Sequence, residues 1–283
     1  MKTWKKALVL AIAFAFALGG SFSSLAFAGV GISPMDIVPS STLLQMRSYL
    51  TTQYNNSTSN SSISRNAGYL FALKAIAYAI AGTDYETIDC SELTYYSLKE
   101  AYTSKTLQDY YIFGNKKITS REQYLICANN NLILAGSENE PYFSGRQTGD
   151  LIFWTDSTGS IGHVGIYFRY NNGDYVIESR TSENGVIVTD HVWEGNGYKV
   201  KCYARINKAL TATFRVGAPF TGSLGTQKVL YNCPPAPPSP PTHSGYTFTG
   251  WSPSITAGMR SNTTYTANYI DNSLIMSVPD NNG

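Results

Sequence analysis

The stretch that decides the fold is Asp89-Cys90-Ser91-Glu92-Leu93, where a polar loop turns into a helix that carries a cysteine in its first turn. Beyond Leu93 the apolar residues recur at helical spacing. Asp89 is therefore the predicted N-cap, and Glu92, three residues later, completes a capping box. The sequence thus places Cys90 at the very start of a helix.

The position of Cys90 is a physical reason to expect chemistry. A thiol there lies at the positive end of the helix dipole, beside backbone N–H groups without partners, and both favour the nucleophilic thiolate. The stretch is equally compatible with Cys90 as half of a disulfide or as a small buried residue. The chain has four cysteines, too few for a disulfide scaffold, and their spacing does not define a pairing. They are Cys90, Cys127, Cys202 and Cys233.

The first residues predict the compartment. Lys2, Lys5 and Lys6 precede an apolar run and the small-residue site Ala26-Phe27-Ala28, which predicts a secretory signal peptide over residues 1–28. No stop-transfer charges follow, so we expect a secreted or cell-surface protein without a membrane anchor. Loss of the leader changes the formal net charge from +2 to −1, and without a concentrated basic face nucleic-acid binding is not expected.

Hydrophobic periodicity predicts helices before the sheet-forming part of the chain. Two of these helices precede Cys90, with a polar tract between them. A third helix lies beyond the Cys90 helix, after a weak strand signal. The predicted helices span 40–54, 66–78 and 121–128, the polar tract 55–62, and the weak strand 110–113.

Alternating and apolar runs then predict an antiparallel sheet, with turn signals at Asn172-Gly173 and Asn184-Gly185. Its predicted strands span 150–154, 163–168, 175–179, 186–189 and 198–206. The composition changes beyond Asn207, where a strand is followed by the stiff proline run 234–241 and by further strands. We therefore expect five segments: the leader 1–28, an N-terminal helix and linker 29–65, a main domain 66–207, a small β module 208–270, and a loose tail 271–283.

A cysteine nucleophile needs a nearby base and a third group that orients the base. Of the three histidines, His163 opens a strand in an apolar run flanked by Gly162 and Gly165, which leave room for a substrate backbone. His191 follows a later strand, and His243 lies among prolines in the small module. A single histidine such as His163 is more often structural, so only a combination of motifs can identify a site.

Three motifs in order provide that combination: the stretch 89–91 at a helix start, 149–154 in the first strand, and 162–167 in the second. Together they resemble the NlpC family of papain-like cell-wall cysteine peptidases over about residues 66–207. The resemblance implies an α+β fold with helices packed on an antiparallel sheet, Cys90 as nucleophile and His163 as base. It also implies peptidoglycan stem peptides as substrate, with no metal or other cofactor.

The resemblance also implies substrate-binding residues. The family commonly has a tyrosine twelve residues before the cysteine, which corresponds to Tyr78, and its hydroxyl is expected to face the thiol. Alternatively, Tyr78 is an ordinary aromatic at a helix end. Asp89, Ser91 and Glu92 are expected to line the pocket, although the family usually has glycine at the position of Glu92.

For the third catalytic group we prefer Glu178 to His191, because the family has a polar residue, commonly histidine, on the strand that follows the base. If Asn172 and Gly173 form a tight turn, Glu178 lies four residues along the strand from the partner of His163, about 13 Å away. If the whole run 168–173 is a loop, Glu178 pairs directly with His163. Glu178 keeps the same face in both registers, so distance decides between them.

The small module resembles the internalin B-repeat-like modules of bacterial surface proteins, which have a β-grasp fold. Tyr246, Phe248 and Trp251 are expected to form its core rather than to stack on sugars. The module offers a contact to a cell-surface polymer or protein. Together with Glu92, it motivates the alternative function, a non-catalytic cell-surface or cell-wall binding protein on a papain-like scaffold.

Overall fold

The computed structural model describes residues 37–56, 63–104, 112–114, 116–180, 184–195 and 197–275. The predicted leader, most of the polar tract and most of the tail lie outside these ranges. Within them, no helix combines the length and the apolar character needed to cross a membrane.

Four helices precede the first sheet: α1 (Ser40–Asn56), α2 (Ile63–Ile80), α3 (Cys90–Ser104) and α4 (Ser120–Asn129). Helix α1 packs along α2 and buries Met46 and Leu50 completely, so it belongs to the same apolar core as the helices that follow. Residues 110 and 111 of the predicted strand 110–113 lie outside the described ranges. The prediction is wrong for Ile112 and Phe113, which form a turn. Phe113 is buried there, which shows that its apolar signal came from packing and not from strand pairing.

The first sheet has five strands in the order β4-β3-β2-β1-β5, and each neighbouring pair is antiparallel. The α+β class is therefore confirmed. One face of the sheet packs on the helices, and the other is covered by a second buried cluster that includes Trp154, Tyr167 and Tyr203. The strands are β1 (Leu151–Thr155), β2 (Ile161–Tyr170), β3 (Gly173–Ser179), β4 (Val186–Thr189) and β5 (Lys199–Ala204).

The turn between β2 and β3 differs from the prediction by one residue. Asn171 and Asn172 both have positive φ, 46° and 64°, and Gly173 already pairs with Tyr170. Asparagine tolerates the left-handed conformation, so a two-residue turn with positive φ at both positions forms without glycine. The register that follows places Ile166 opposite Ile177.

The second sheet has four strands in the order β7-β6-β9-β8, with β6 and β9 parallel at its centre. Phe214 and Tyr265 stack in its core with ring centroids 5.5 Å apart, and the proline run connects β7 to β8. The resemblance of this module to B-repeats stays a prediction. Its elements are β6 (Ala209–Val216), β7 (Gly222–Leu230), β8 (Tyr246–Ser252), β9 (Thr263–Asp271) and the short helix α5 (Asn272–Ile275).

The two sheets share one continuous apolar core. Leu230 at the end of β7 is buried in the same cluster as Leu70 of α2 and Leu98 of α3. Next to it, the Tyr231 hydroxyl donates to Asn130 Oδ1 at 2.9 Å. The second module is therefore packed directly on the helices of the first domain.

Candidate active site

The first turn of α3 is built by the predicted capping box. Asp89 Oδ1 accepts the Glu92 N–H at 2.8 Å, and Glu92 Oε2 accepts the Asp89 N–H at 3.3 Å. The first backbone bond of the helix runs from Leu93 N to Asp89 O at 2.9 Å. The N–H groups of Cys90 and Ser91 therefore precede the backbone hydrogen bonds of the helix and point towards the space before its first turn.

The loop before α3 is fastened to the end of the first sheet. Thr83 O accepts the Val186 N–H at 2.8 Å, and Ile88 O accepts the Ser179 hydroxyl at 2.6 Å. Gly185 has φ +59° and lies so close that an added Cβ would be 2.3 Å from Thr83 O. These contacts hold the start of α3 against the ends of β3 and β4, and β3 pairs with β2, the strand that carries His163.

Cys90 and His163 meet in the interior. The Cys90 thiol is hydrogen bonded to the His163 ring, and the two residues are 8% and 6% exposed. On the far side of the ring, His163 Nε2 lies 2.7 Å from Glu178 Oε2. Since Nε2 is occupied by the carboxylate, Nδ1 is the nitrogen that faces the thiol. The structure thus brings a thiol, an imidazole and a carboxylate into one chain of contacts.

The charges of this chain support one another. Burial by itself lowers the pKa of His163, but the Cys90 thiolate and the Glu178 carboxylate outweigh burial and raise this pKa from 6.5 to about 9. Burial tends to raise the pKa of Glu178, yet its bond to His163, the charges of His163 and Arg180, and the bond from Trp193 lower it overall. The raised pKa of His163 and the lowered pKa of Glu178 favour an imidazolium paired with a carboxylate at neutral pH.

Glu178 is fully buried, and each carboxylate oxygen has a partner. Trp193 Nε1 donates to Oε2 at 3.0 Å, and Thr189 Oγ1 donates to Oε1 at 3.2 Å. The Arg180 guanidinium lies 3.9 Å from Oε1 and stacks 3.4 Å from the centre of the Trp193 ring. Sequence reasoning did not find Trp193 or Thr189 as partners of Glu178, because they arrive through strand β4 and the loop beyond it.

The contact between Glu178 and His163 arises in neither of the two registers considered from sequence. The observed register, extended by one step, places Gly165 opposite Glu178, so His163 lies diagonally across the strand pair. Diagonal neighbours are about 7–8 Å apart, which a glutamate and a histidine side chain span together. A Cβ on Gly165 would lie 2.7 Å from Val176 Cγ1, so this closely packed site requires glycine.

His191, the alternative third group, lies elsewhere. Its Nδ1 is 2.8 Å from Asp190 Oδ1, and 40% of its side chain is exposed. Its backbone carbonyl accepts the Thr189 hydroxyl at 3.3 Å, so His191 touches the network through its main chain.

The prediction that the Tyr78 hydroxyl faces the thiol is wrong. Helix α2 continues to Ile80, and this keeps Tyr78 on the helix, where its hydroxyl donates to Glu100 Oε1 at 2.5 Å. Burial and Glu100 raise the pKa of Tyr78 above its ordinary value. The tyrosine that interacts electrostatically with Cys90 is Tyr85, in the loop before α3.

Ser91 and Glu92, expected to line the pocket, both hold the helix start in place. The Ser91 hydroxyl donates to Asp89 Oδ1 at 2.8 Å, and Ser91 O accepts Gln123 Nε2 at 2.8 Å. Glu92 is paired with Lys117 in addition to its capping bond. Contact of Asp89, Ser91 or Glu92 with substrate stays a prediction.

All four cysteines are free thiols, so Cys90 is not part of a disulfide in this structure. Cys127 and Cys202 are fully buried neighbours, and Cys233 is buried in the second module.

A helix that starts at a free thiol and packs on an antiparallel sheet carrying the paired histidine defines a papain-like domain. Residues 75–204 match the model of the NlpC/P60 family, and this stretch contains Cys90, His163 and Glu178. The family generally comprises cysteine peptidases and amidases that act on peptidoglycan peptides, and its members are often secreted or associated with the cell wall. The match suggests a function of the cell-wall peptidase type. A comparison with curated proteins finds no significant match.

Proposed function

We propose that this protein is an exported cysteine hydrolase that cleaves amide bonds in the stem peptides of peptidoglycan. The observation that carries the proposal is the run of contacts from the Cys90 thiol through His163 to Glu178. Export rests on the predicted leader 1–28, and we assign the second module a role in retention at a surface polymer or protein.

In the first half of the reaction, the Cys90 thiolate attacks the carbonyl carbon of the scissile amide. The His163 imidazolium gives its proton to the leaving nitrogen, the C–N bond breaks, and an amine departs from a thioester on Cys90. In the second half, neutral His163 takes a proton from water, which attacks the thioester. The C–S bond breaks, the carboxylic acid product leaves and loses its proton to solvent, and the thiolate–imidazolium pair is restored.

The oxyanion of each tetrahedral intermediate needs preorganised donors. The backbone N–H groups of Cys90 and Ser91, which precede the first backbone bond of α3, are suited to this task. Glu178 acts on the base: it holds the His163 ring through Nε2 and stabilises its charged form, which leaves Nδ1 directed at the thiol.

The test is digestion of purified cell wall by the protein without residues 1–28 and by its Cys90→Ala variant. The wild type is expected to release new amino groups, and the variant to release them at least about 10⁴-fold more slowly. Circular dichroism of the variant controls for folding. Equal release by the two proteins would reject the proposal, and wall binding without release by either would favour the non-catalytic alternative.

A further inference from the structure

Tyr198 lies directly against the catalytic histidine. Its ring meets the His163 ring edge to face at 6.4 Å and the Trp193 ring at 5.7 Å. It packs so closely on Gly162 that an added Cβ there would be 3.2 Å from Tyr198 Cε1. A reciprocal pair of backbone bonds with Gly195, at 3.0 and 2.8 Å, fixes its main chain. Tyr198 is therefore one ordered wall beside the base.

Tyr85 lies five residues before Cys90, in the loop that leads into α3. It is half-buried in the loop before α3, and it interacts electrostatically with Cys90, Asp89 and Tyr198. The turn that carries it is closed by Thr87 N, which donates to Asp84 Oδ1 at 2.7 Å. The two tyrosines thus lie within electrostatic range of each other, Tyr85 in the loop that leads to Cys90 and Tyr198 against the His163 ring.

Both phenols offer hydrogen bonds that the folded chain does not use. Among the described residues, neither the Tyr85 nor the Tyr198 hydroxyl has a hydrogen-bond partner, whereas the hydroxyls of Tyr78, Tyr167 and Tyr203 each have one. Both rings are half-buried, so each hydroxyl is held by packing while part of the ring stays accessible. Cys90 itself is 8% exposed, so part of its surface is accessible as well.

We propose that Tyr85 and Tyr198 are substrate-contacting residues, with their hydroxyls donating to carbonyl or carboxylate oxygens of the peptide. This rests on the proposed function for its substrate class, a peptide. Burial and the nearby acidic groups raise the pKa of Tyr85, which keeps its hydroxyl protonated and able to donate. The ring faces add apolar contact with the aliphatic side chains of a peptide.

The test compares two reagents that alkylate Cys90. N-acetyl-alanyl-alanine chloromethyl ketone presents peptide groups, whereas iodoacetamide presents almost none; in each case the thiolate forms a C–S bond and halide leaves. Rates are measured by mass spectrometry of the peptide that contains Cys90. The proteins are wild type, Tyr85→Phe, Tyr198→Phe, the double variant, and Tyr142→Phe, whose tyrosine is 63% exposed and serves as the control.

The expected result is a loss of about 3–10-fold in the chloromethyl ketone rate for each single variant at the site, with a larger loss in the double variant. The iodoacetamide rate should stay within about twofold, and Tyr142→Phe should match the wild type. Unchanged rates with both reagents would overturn the proposal. Parallel losses with both would also overturn it, since they would show an effect on the thiol. The ratio of the two alkylation rates can be measured even if cell wall proves not to be the substrate. Failure of this proposal is therefore distinguishable from failure of the proposed function.

Discussion

Two cysteines of the first domain, Cys90 and Cys127, lie on helices that start with the same kind of capping box, but their surroundings differ. Helix α3 starts with the box formed by Asp89 and Glu92, and α4 starts with an equivalent box formed by Thr119 and Glu122. Cys90 is the first residue of its helix, whereas Cys127 is the eighth residue of α4, whose range begins at Ser120.

The difference in position along the helix changes the chemistry of the thiol. Cys127 is 0% exposed among apolar groups, and burial, with a smaller contribution from Cys202, raises the pKa of its thiol. Cys90 is nearly as buried, but it adjoins His163 and the free N–H groups of a helix start. Burial therefore does not distinguish Cys90, the proposed nucleophile, from Cys127. The charged partner and the helix terminus do.

The largest expected effect tests this contrast directly. Cys90→Ala should lower turnover of cell-wall peptides at least about 10⁴-fold with little change in stability. Cys127→Ala should keep turnover within about threefold while lowering the free energy of unfolding by about 1–3 kcal/mol, since it leaves a small cavity. Amino-group release and urea unfolding measure the two quantities. Similar losses of turnover in both variants would contradict the assignment of Cys90.

The second prediction concerns pH. The raised pKa of His163 means that the imidazolium persists up to about pH 9, so activity should fall as pH rises through that value. The stability of the fold changes in the same direction. The stabilisation that comes from charged His163 is fully present below pH 6.5 and is lost as pH rises through about 9.

Glu178→Gln keeps the hydrogen-bonding shape and removes the charge that raises the pKa of His163. The fall in kcat/KM should therefore begin at lower pH, with a loss of about tenfold at pH 8.5. Profiles between pH 6 and 10 provide the measurement, with the exposed Glu140→Gln as control. An unchanged basic limb in Glu178→Gln would show that the carboxylate does not tune the base.

Features of the site set by short stretches of sequence could be predicted. The capping box around Cys90 follows from residue types three apart, and the strand that carries His163 follows from its apolar run. The face shared by His163 and Glu178 also follows, because strand alternation fixes it in each of the registers considered. Their distance did not follow, because it depends on a turn one residue earlier and on a diagonal contact.

Features set by packing between distant segments could not be predicted. The hydroxyl of Tyr78 does not face the thiol because helix α2 continues to Ile80, so Tyr78 stays on the helix and contacts Glu100. Trp193 and Thr189 reach Glu178 only after β4 has paired with β3. Neither contact has a local signal in the sequence.

The third prediction sharpens the comparison of the two helix starts. Asp89→Ala and Thr119→Ala each remove an N-cap, and each should lower the free energy of unfolding by about 1 kcal/mol. Only Asp89→Ala should also slow the alkylation of Cys90 by iodoacetamide, by about three- to tenfold, since only that cap orders a turn that contains the nucleophile. Equal alkylation rates in the two variants would separate the cap from the reactivity of the thiol.

The smallest effect concerns Glu92, where the family usually has glycine. Glu92 is tied to its own cap and to Lys117, whose side chain is 53% exposed, so solvent screens the ion pair. In a double-mutant cycle of Glu92→Gln and Lys117→Gln, the coupling free energy of unfolding should be below about 1 kcal/mol, and KM should change by less than about twofold in each variant. If Glu92 instead binds a positive group of the substrate, Glu92→Gln should raise KM about tenfold or more, whereas Lys117→Gln, which frees the carboxylate, should not raise it. Steady-state kinetics on a soluble stem peptide separate the two outcomes. If Glu92 only supports the helix start, KM should change equally little in Glu92→Gln and Lys117→Gln; if Glu92 binds substrate, KM should rise in Glu92→Gln alone.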